Sequence, residues 1–158
     1  MLWQWLTVIA LSMTPALIAG QSAACAAGIA FGWSPWLLLP VVATASFVEG
    51  LIVIKLAELS ARVPWLRRHL GRWHKPSAVA WCQRWGPWGG LMLGVAVVGI
   101  EPILVALKWM EVDSKKLVLP LAVSSVVFTA LYYVIVAFGW AQATRFQELH
   151  DLVELIRE

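Results

Sequence analysis

WLLLPVVATASFVEGLIVIKLAEL, residues 36–59, is an apolar run long enough, at about 1.5 Å per residue, to cross a hydrocarbon core of about 30 Å as one helix. A second run, LVLPLAVSSVVFTALYYVIVAFGW at 117–140, passes the same test with no charged residue and is the cleanest spanning segment in the chain. Two further stretches complete the pattern. Residues 2–31 are apolar but interrupted near Pro15 and Gly20, and 88–109 are rich in glycine and broken at Gly99 and Pro102. The fold class expected is therefore an all-α integral membrane protein with about four transmembrane segments, some of them broken or re-entrant.

Composition agrees. The 158 residues are 61% apolar, with a mean hydropathy of +0.77, against about 45–50% apolar in soluble domains. Eleven Trp stand against two Tyr. Most of the Trp flank the apolar runs, where amphipathic rings sit at headgroup level. A net charge of +3, with one basic cluster between apolar segments, excludes a nucleic-acid face. Cys25 and Cys82 lack metal-ligand spacing and read as free thiols. Residues 1–20 have the apolar stretch of a signal peptide without its leading basic residues, so they are taken as part of the fold.

Charge sets the expected topology. Segment 60–86 holds Arg62, Arg67, Arg68, Arg72, Lys75 and Arg84 and no acid, which places it in the cytoplasm and against anionic headgroups. With four crossings, the link at 110–116 falls outside and the tail returns to the cytoplasm. That tail, 141–158, has the pattern of an amphipathic helix. The division expected is a membrane domain at 1–140 followed by this C-terminal helix.

A faint repeat suggests a function. Trp33-Ser34-Pro35-Trp36 is echoed 52 residues on by Trp85-Gly86-Pro87-Trp88, and Val48-Glu49-Gly50-Leu51 by Ile100-Glu101-Pro102-Ile103. Units 33–58 and 85–109 would form an inverted repeat, the construction by which many secondary transporters build a site at mid-depth. Glu49 and Glu101 are the candidate proton-coupling or substrate-path residues. A carboxylate about 20 Å into an apolar layer must be paired, hydrated or protonated. Gly50 and Pro102 are the helix-disrupting neighbours that would supply close approach and a free carbonyl. Static alternatives are Glu49 sharing a proton with Glu101, or Glu49 paired with Lys108. The serines and threonine of the last run, Ser124, Ser125 and Thr129, are expected to bond their own backbone. No catalytic residue, metal ligand or cofactor motif is present, so an enzyme is not expected.

The segment IAFGWSP at 29–35, the basic loop, and WCQRWGPWGGLMLGVAVVGIEP at 81–102 give the chain, over about residues 14–140, an order of features that resembles the bacterial small multidrug export family. That family is distantly similar to the DedA and SNARE-associated membrane proteins. The resemblance implies a multi-pass protein of the bacterial inner membrane, a re-entrant hairpin at 85–102, and movement of a small or lipid-like solute, proton-coupled in the relatives. Family members carry a Glu and Arg element before the Gly-x-Ser-Pro turn; here AGQSAACAAG at 19–28 has no charge. The function expected is membrane transport of a small or lipid-like solute. Its competitor is a structural or assembly subunit, bound to itself or to another membrane protein through its small-residue face.

Overall fold

The computed structural model describes residues 2–13, 20–60, 63–70, 76–95 and 99–157, with side chains up to residue 142 apart from Leu66, Arg67, Leu70 and Trp81. Pro15, Arg62, Arg72, Trp73, His74 and Lys75 lie outside the described residues, as do the side chains of the tail. The described chain is all helix: α1 (Leu2–Ser12), α2 (Gly20–Ala30), α3 (Pro35–Ser60), α4 (Pro64–Leu70), α5 (Pro76–Gly89), a π-helical turn at Gly90–Gly94, α6 (Ile100–Trp109) and α7 (Ser114–Arg157). Among the described residues, two helices reach spanning length and composition: α3, and α7 over Ser114–Gln142, each with a mean hydropathy of 2.2. Only 33% and 28% of these apolar windows are buried inside the protein. Val126, Val134, Ile135 and Phe138 thus lie exposed on α7, unlike the side chains of a soluble core helix.

The remaining helices are about half that length, and the sequence shows how each is started and stopped. Helix α2 begins at Gly20 (φ 52) and α6 follows Gly99 (φ 98). Both glycines take the left-handed conformation that a side chain would resist. Twelve residues further on, both helices end in the same capping motif. At the end of α2 the Trp33 N–H donates to the Gly28 carbonyl and the Gly32 N–H to that of Ile29, each at 2.9 Å. At the end of α6 the Val112 N–H donates to the Leu107 carbonyl and Glu111 to that of Lys108, at 3.1 and 3.0 Å. The residues at the turn, Gly32 (φ 73) and Glu111 (φ 61), are left-handed as this Schellman motif requires. A long helix follows each, and its first turns share a pattern: Leu37-Leu38-Leu39-Pro40 in α3, Leu117-Val118-Leu119-Pro120 in α7.

Two stretches of the chain thus share a local construction, in a different register from the expected one. One stretch is the α1–α2 hairpin followed by α3, and the other is 87–95 with α6, followed by α7. Units 33–58 and 85–109 do not share a construction. The first lies almost wholly within one unbroken helix, whereas the second contains a sharp turn at Gly86 (φ 64, ψ −169), the π-helical turn and the break before α6. Trp85-Gly86-Pro87-Trp88 reverses the chain so that Gly90 lies against Cys82, while Trp33-Ser34-Pro35-Trp36 leads into α3.

The long helices run antiparallel, with Gly50 of α3 against Leu121 of α7 and Glu58 against Ser114. Two apolar clusters hold them. One joins Val53, Ile54 and Ala57 to α6 and to Leu117 and Leu121; the other joins Val8, Ala24, Cys25, Leu38 and Val42 to Tyr132, Tyr133 and Val136 of α7. The small residues of α2 serve close packing, since a Cβ at Gly28 would run into the Leu38 side chain.

This arrangement corrects the expected topology. The link at 110–116 sits at the same end of the molecule as the exit of α3, because the Trp109 indole N–H donates to Ser60 Oγ at 3.3 Å and Ser114 Oγ donates to Glu58. Trp88 and Lys115 line one groove, so the second hairpin also starts at that end. The basic segment and the link thus share an end, and the tail, which continues α7 without a break, leaves from the other.

Gly50 allows the close approach expected of it, but without disrupting its helix. Helix α3 passes through it without disruption, and a Cβ there would meet Leu121 Cδ1 at 2.7 Å. Gly50→Val is expected to destabilise the protein by about 1–3 kcal/mol through overpacking. Adding Leu121→Ala should recover part of that loss. Reversible unfolding in mixed micelles checks both, and additive losses in the double variant would refute the contact.

Candidate functional site

The broken segments converge on one place. The first turn of α2 contributes Gly20, Gln21 and Ser22, and the residues on either side of the second hairpin's vertex, Val95 and Ile100, come from the opposite unit. Together with Ser12 at the end of α1, they enclose a cavity of about 50 Å³. This is room for a few water molecules, each needing about 10–15 Å³. Its far wall is α7, which presents Ser124, Phe128 and Tyr132 at four-residue spacing, on one stripe of the helix, with Ser125 beside them.

Glu49 of α3 lines this cavity. Its position follows from the helix alone: it lies fourteen residues after Pro35 and eleven before Ser60, near the middle of α3. Glu101 occupies the first turn of α6, is 2% exposed, and follows Ile100, which shares the cavity lining with Glu49. The two carboxyl groups singled out from the sequence are thus brought together, by the head of α6 meeting the middle of α3.

Pro102 does not free a carbonyl as expected. It stands in the first turn of α6, where its missing N–H removes one of the donors that a helix start leaves without an intrahelical partner. The Gly99 cap contributes no side-chain bond to the others. Two helix N-termini, each worth about half a positive charge, therefore point toward the cavity that holds Glu49.

Two hydroxyls around the cavity already donate to the backbone. Ser12 Oγ donates to the Val8 carbonyl at 2.7 Å and Ser124 Oγ to that of Leu121 at 2.9 Å, which leaves their oxygen lone pairs for the interior. Ser125 and Thr129 depart from the expected backbone bonding. Their buried oxygens, with those of Ser46 and Gln21 Oε1, have no protein hydrogen-bond partner. Buried polar groups left in that state cost about 1–3 kcal/mol each, and two of them, Gln21 Oε1 and Ser125 Oγ, line the cavity, where water or a ligand can answer them.

Lys108 is not a partner of Glu49. Its ammonium lies 3.3 Å from Glu58 Oε1 and donates to Ser114 Oγ at 2.8 Å and to the Val112 carbonyl at 3.1 Å. Lys55 reaches the other Glu58 oxygen at 2.9 Å from an exposed position, a contact of small energetic weight. Glu58 therefore ties the end of α3 to the turn between α6 and α7. In the amino-acid sequence nothing marks it beyond its spacing of three from Lys55. Both thiols are free and buried, as expected, and among the described residues no group of His, Cys, Asp and Glu is arranged to hold a metal.

The cavity and the unpartnered hydroxyls make separable predictions. Thr129 is outside the cavity lining, so Thr129→Val should stabilise the protein by about 1 kcal/mol by removing an unmet hydroxyl. Ser125 lines the cavity, where water can bond it, so Ser125→Ala should change stability by less than about 0.5 kcal/mol. Unfolding titrations of the two variants check this, and equal effects would mean that the cavity is dry. Comparison with family models, with curated proteins and with solved structures finds no match for this chain.

Proposed function

We propose that this protein moves a small or lipid-like solute across a membrane, with proton exchange at Glu49 and Glu101 as the coupling step. The observation that carries this reading is the polar cavity that the end of α1, the start of α2, Val95 and Ile100 form with the two long helices. The hairpin helices α1, α2 and α6 have 11, 11 and 10 residues. At about 1.5 Å per residue they descend about 15 Å, half of a hydrocarbon core of about 30 Å. In this reading α3 and α7 span the layer, the hairpins enter from opposite faces, and their vertices meet at its centre.

Such a construction is an inverted repeat with interrupted helices at mid-depth, the kind of architecture in which one central site faces either side in turn. The re-entrant second hairpin is also what the resemblance to the small multidrug export and DedA-like families implies. Irregular backbone at that depth is tolerated only where it is buried in protein or lines a wet cavity. The polar lining described above supplies that cavity. A carboxylate placed there exchanges protons with whichever face the cavity has opened to.

The charge distribution orients the protein. The basic segment 60–86 and the end carrying Lys108, Lys115 and Lys116 are cytoplasmic in this reading. The tail is then on the opposite side. Trp65, Trp85 and Trp88 form the aromatic belt at the cytoplasmic end, and Trp3, Trp5, Trp33, Trp36 and Trp140 the belt at the other. Trp5 and Trp33 pack with ring centroids 4.5 Å apart.

The test is water access to the two glutamates. Single cysteines at 49 and 101, in a Cys25→Ala, Cys82→Ala background, are exposed to a small membrane-impermeant thiol reagent from each side of sealed vesicles. Position 49 is expected to react from both sides, with a side preference that changes with pH, and the buried position 101 to react more slowly. Absence of labelling at 49 from either side, in protein that retains its helix content, would make the carboxylates a sealed structural pair and end the transport reading.

A further inference from the structure

One groove on the outside of the protein carries charge and apolar surface together. It measures about 360 Å³ and lies between the start of the second hairpin, with Pro87 and Trp88, and the first turns of α7, with Lys115, Lys116, Leu119 and Pro120.

Helix geometry divides this groove into levels. Lys115 stands four residues before Leu119 and Lys116 four before Pro120, so each lysine lies one turn above an apolar residue on the same face. The apolar part of α7, Ser114–Gln142, has 29 residues and at about 1.5 Å per residue runs about 43 Å, more than a hydrocarbon core of about 30 Å. That surplus, with the charge on Lys115 and Lys116, puts the first turn at headgroup level and leaves Leu119 and Pro120 at the edge of the hydrocarbon. Trp88, half-exposed across the groove, is the kind of side chain that settles at this boundary.

The two lysines have no counter-charge within the protein. Among the described residues no carboxylate pairs with either ammonium: Glu58 takes Lys55 and Lys108, and Asp113 Oδ1 accepts the backbone N–H of Lys115 at 3.0 Å. Glu111, the other acid of the link, is exposed in the turn before α7. Counted together, Glu58, Glu111 and Asp113 face Lys55, Lys108, Lys115 and Lys116, and the basic segment adds further cations without an acid. This end of the molecule is positive.

Below the lysines the requirement reverses. Leu119 is 62% exposed and Trp88 47%, so the floor and one wall of the groove call for an apolar cover. A small anion answers the ammonium groups and leaves that surface bare, and an apolar segment does the opposite. A molecule with an anionic head above an acyl chain answers both.

We propose that this groove is a binding site for an anionic phospholipid, with its phosphate on Lys115 and Lys116, its glycerol region against the Trp88 indole and an acyl chain over Leu119 and Pro120. A zwitterionic lipid offers the same phosphate but brings a cation to the lysines with it. The site uses the placement of α7 across the layer and is independent of transport through the cavity. Held there, the lipid joins the start of the second hairpin to the head of α7.

The experiment uses the full chain in a non-ionic detergent, titrated with phosphatidylglycerol or with phosphatidylcholine of the same acyl chains. Native mass spectrometry counts bound lipids and copies of the chain together. The first phosphatidylglycerol is expected to bind at least about tenfold tighter than the first phosphatidylcholine, since each lysine near a charged headgroup contributes about fivefold. Lys115→Gln with Lys116→Gln should remove that preference; both lysines are exposed, so packing is left intact. Leu119→Ser should weaken both lipids. Arg67→Gln with Arg68→Gln, the same loss of charge in the basic segment, should leave the preference unchanged, and inorganic phosphate at equal concentration should not displace the lipid.

Absence of a preference for phosphatidylglycerol overturns the site, as does a preference that both double variants reduce equally, because the attraction is then diffuse. Displacement by inorganic phosphate removes the lipid as occupant, and so does a second copy of the chain that the Lys115 and Lys116 changes release. This site and the transport reading fail separately. Lipid preference at the lysines survives a cavity sealed at position 49, and an open cavity survives the loss of that preference.

Discussion

The structure depends on how backbone N–H groups are satisfied where a helix starts away from water. A helix leaves its first four N–H groups without intrahelical partners, and in an apolar layer each such group costs several kcal/mol unless something answers it. Helices α2 and α6 both start in the interior, after glycines in the left-handed conformation. Pro102 removes one of those donors, and the rest are placed where a polar chamber and Glu49 lie. The chamber, the carboxylates and the serine-bearing stripe of α7 are therefore connected features: once two half-length helices begin at the centre, something electronegative has to be there.

The long helices are uninterrupted: α3 and α7 present continuous apolar faces, although Pro40 and Pro120, six and seven residues in, each remove one intrahelical N–H. Gly50 lets the two helices approach closely beside Glu49, so the packing of α7 fixes the depth at which the carboxylate sits. At the other extreme, the exposed ion pair of Lys55 with Glu58 contributes little by itself. Its partner acid matters because it also holds Lys108 and Ser114, and so binds the turn between α6 and α7 to the end of α3.

Much of the helical content was legible in the sequence, because length and hydropathy alone identify α3 and α7. That Glu101 would be buried and Glu49 partly so was also legible, since both stand inside apolar runs. The register of the repeat was not. Trp-x-Pro-Trp recurs because both places begin a helix or hairpin at an aromatic end, and that resemblance of local chemistry outweighed the true correspondence. The real equivalence is conformational: a left-handed residue at Gly20 and Gly99, a capping turn twelve residues on, and a Leu-x-Leu-Pro start. It hides because one of the capping turns uses Glu111 where the other uses Gly32. Topology followed from the register, so counting four crossings placed the link at 110–116 on the wrong end. Glu58 was passed over because an acid three residues from a lysine near a segment end looks like any solvated pair.

The wall that α7 gives to the first hairpin bears on how the chain is made. Val8, Ala24 and Cys25 pack with Tyr132, Tyr133 and Val136, residues synthesised more than a hundred positions later. The half-length helices α1 and α2 leave the ribosome early, yet the surface they are to rest on does not exist until the last helix has been translated. During that interval they have no lasting surface to pack against. The site at the centre is consequently the last thing to form, and a chain released before α7 would lose its first hairpin along with its final helix.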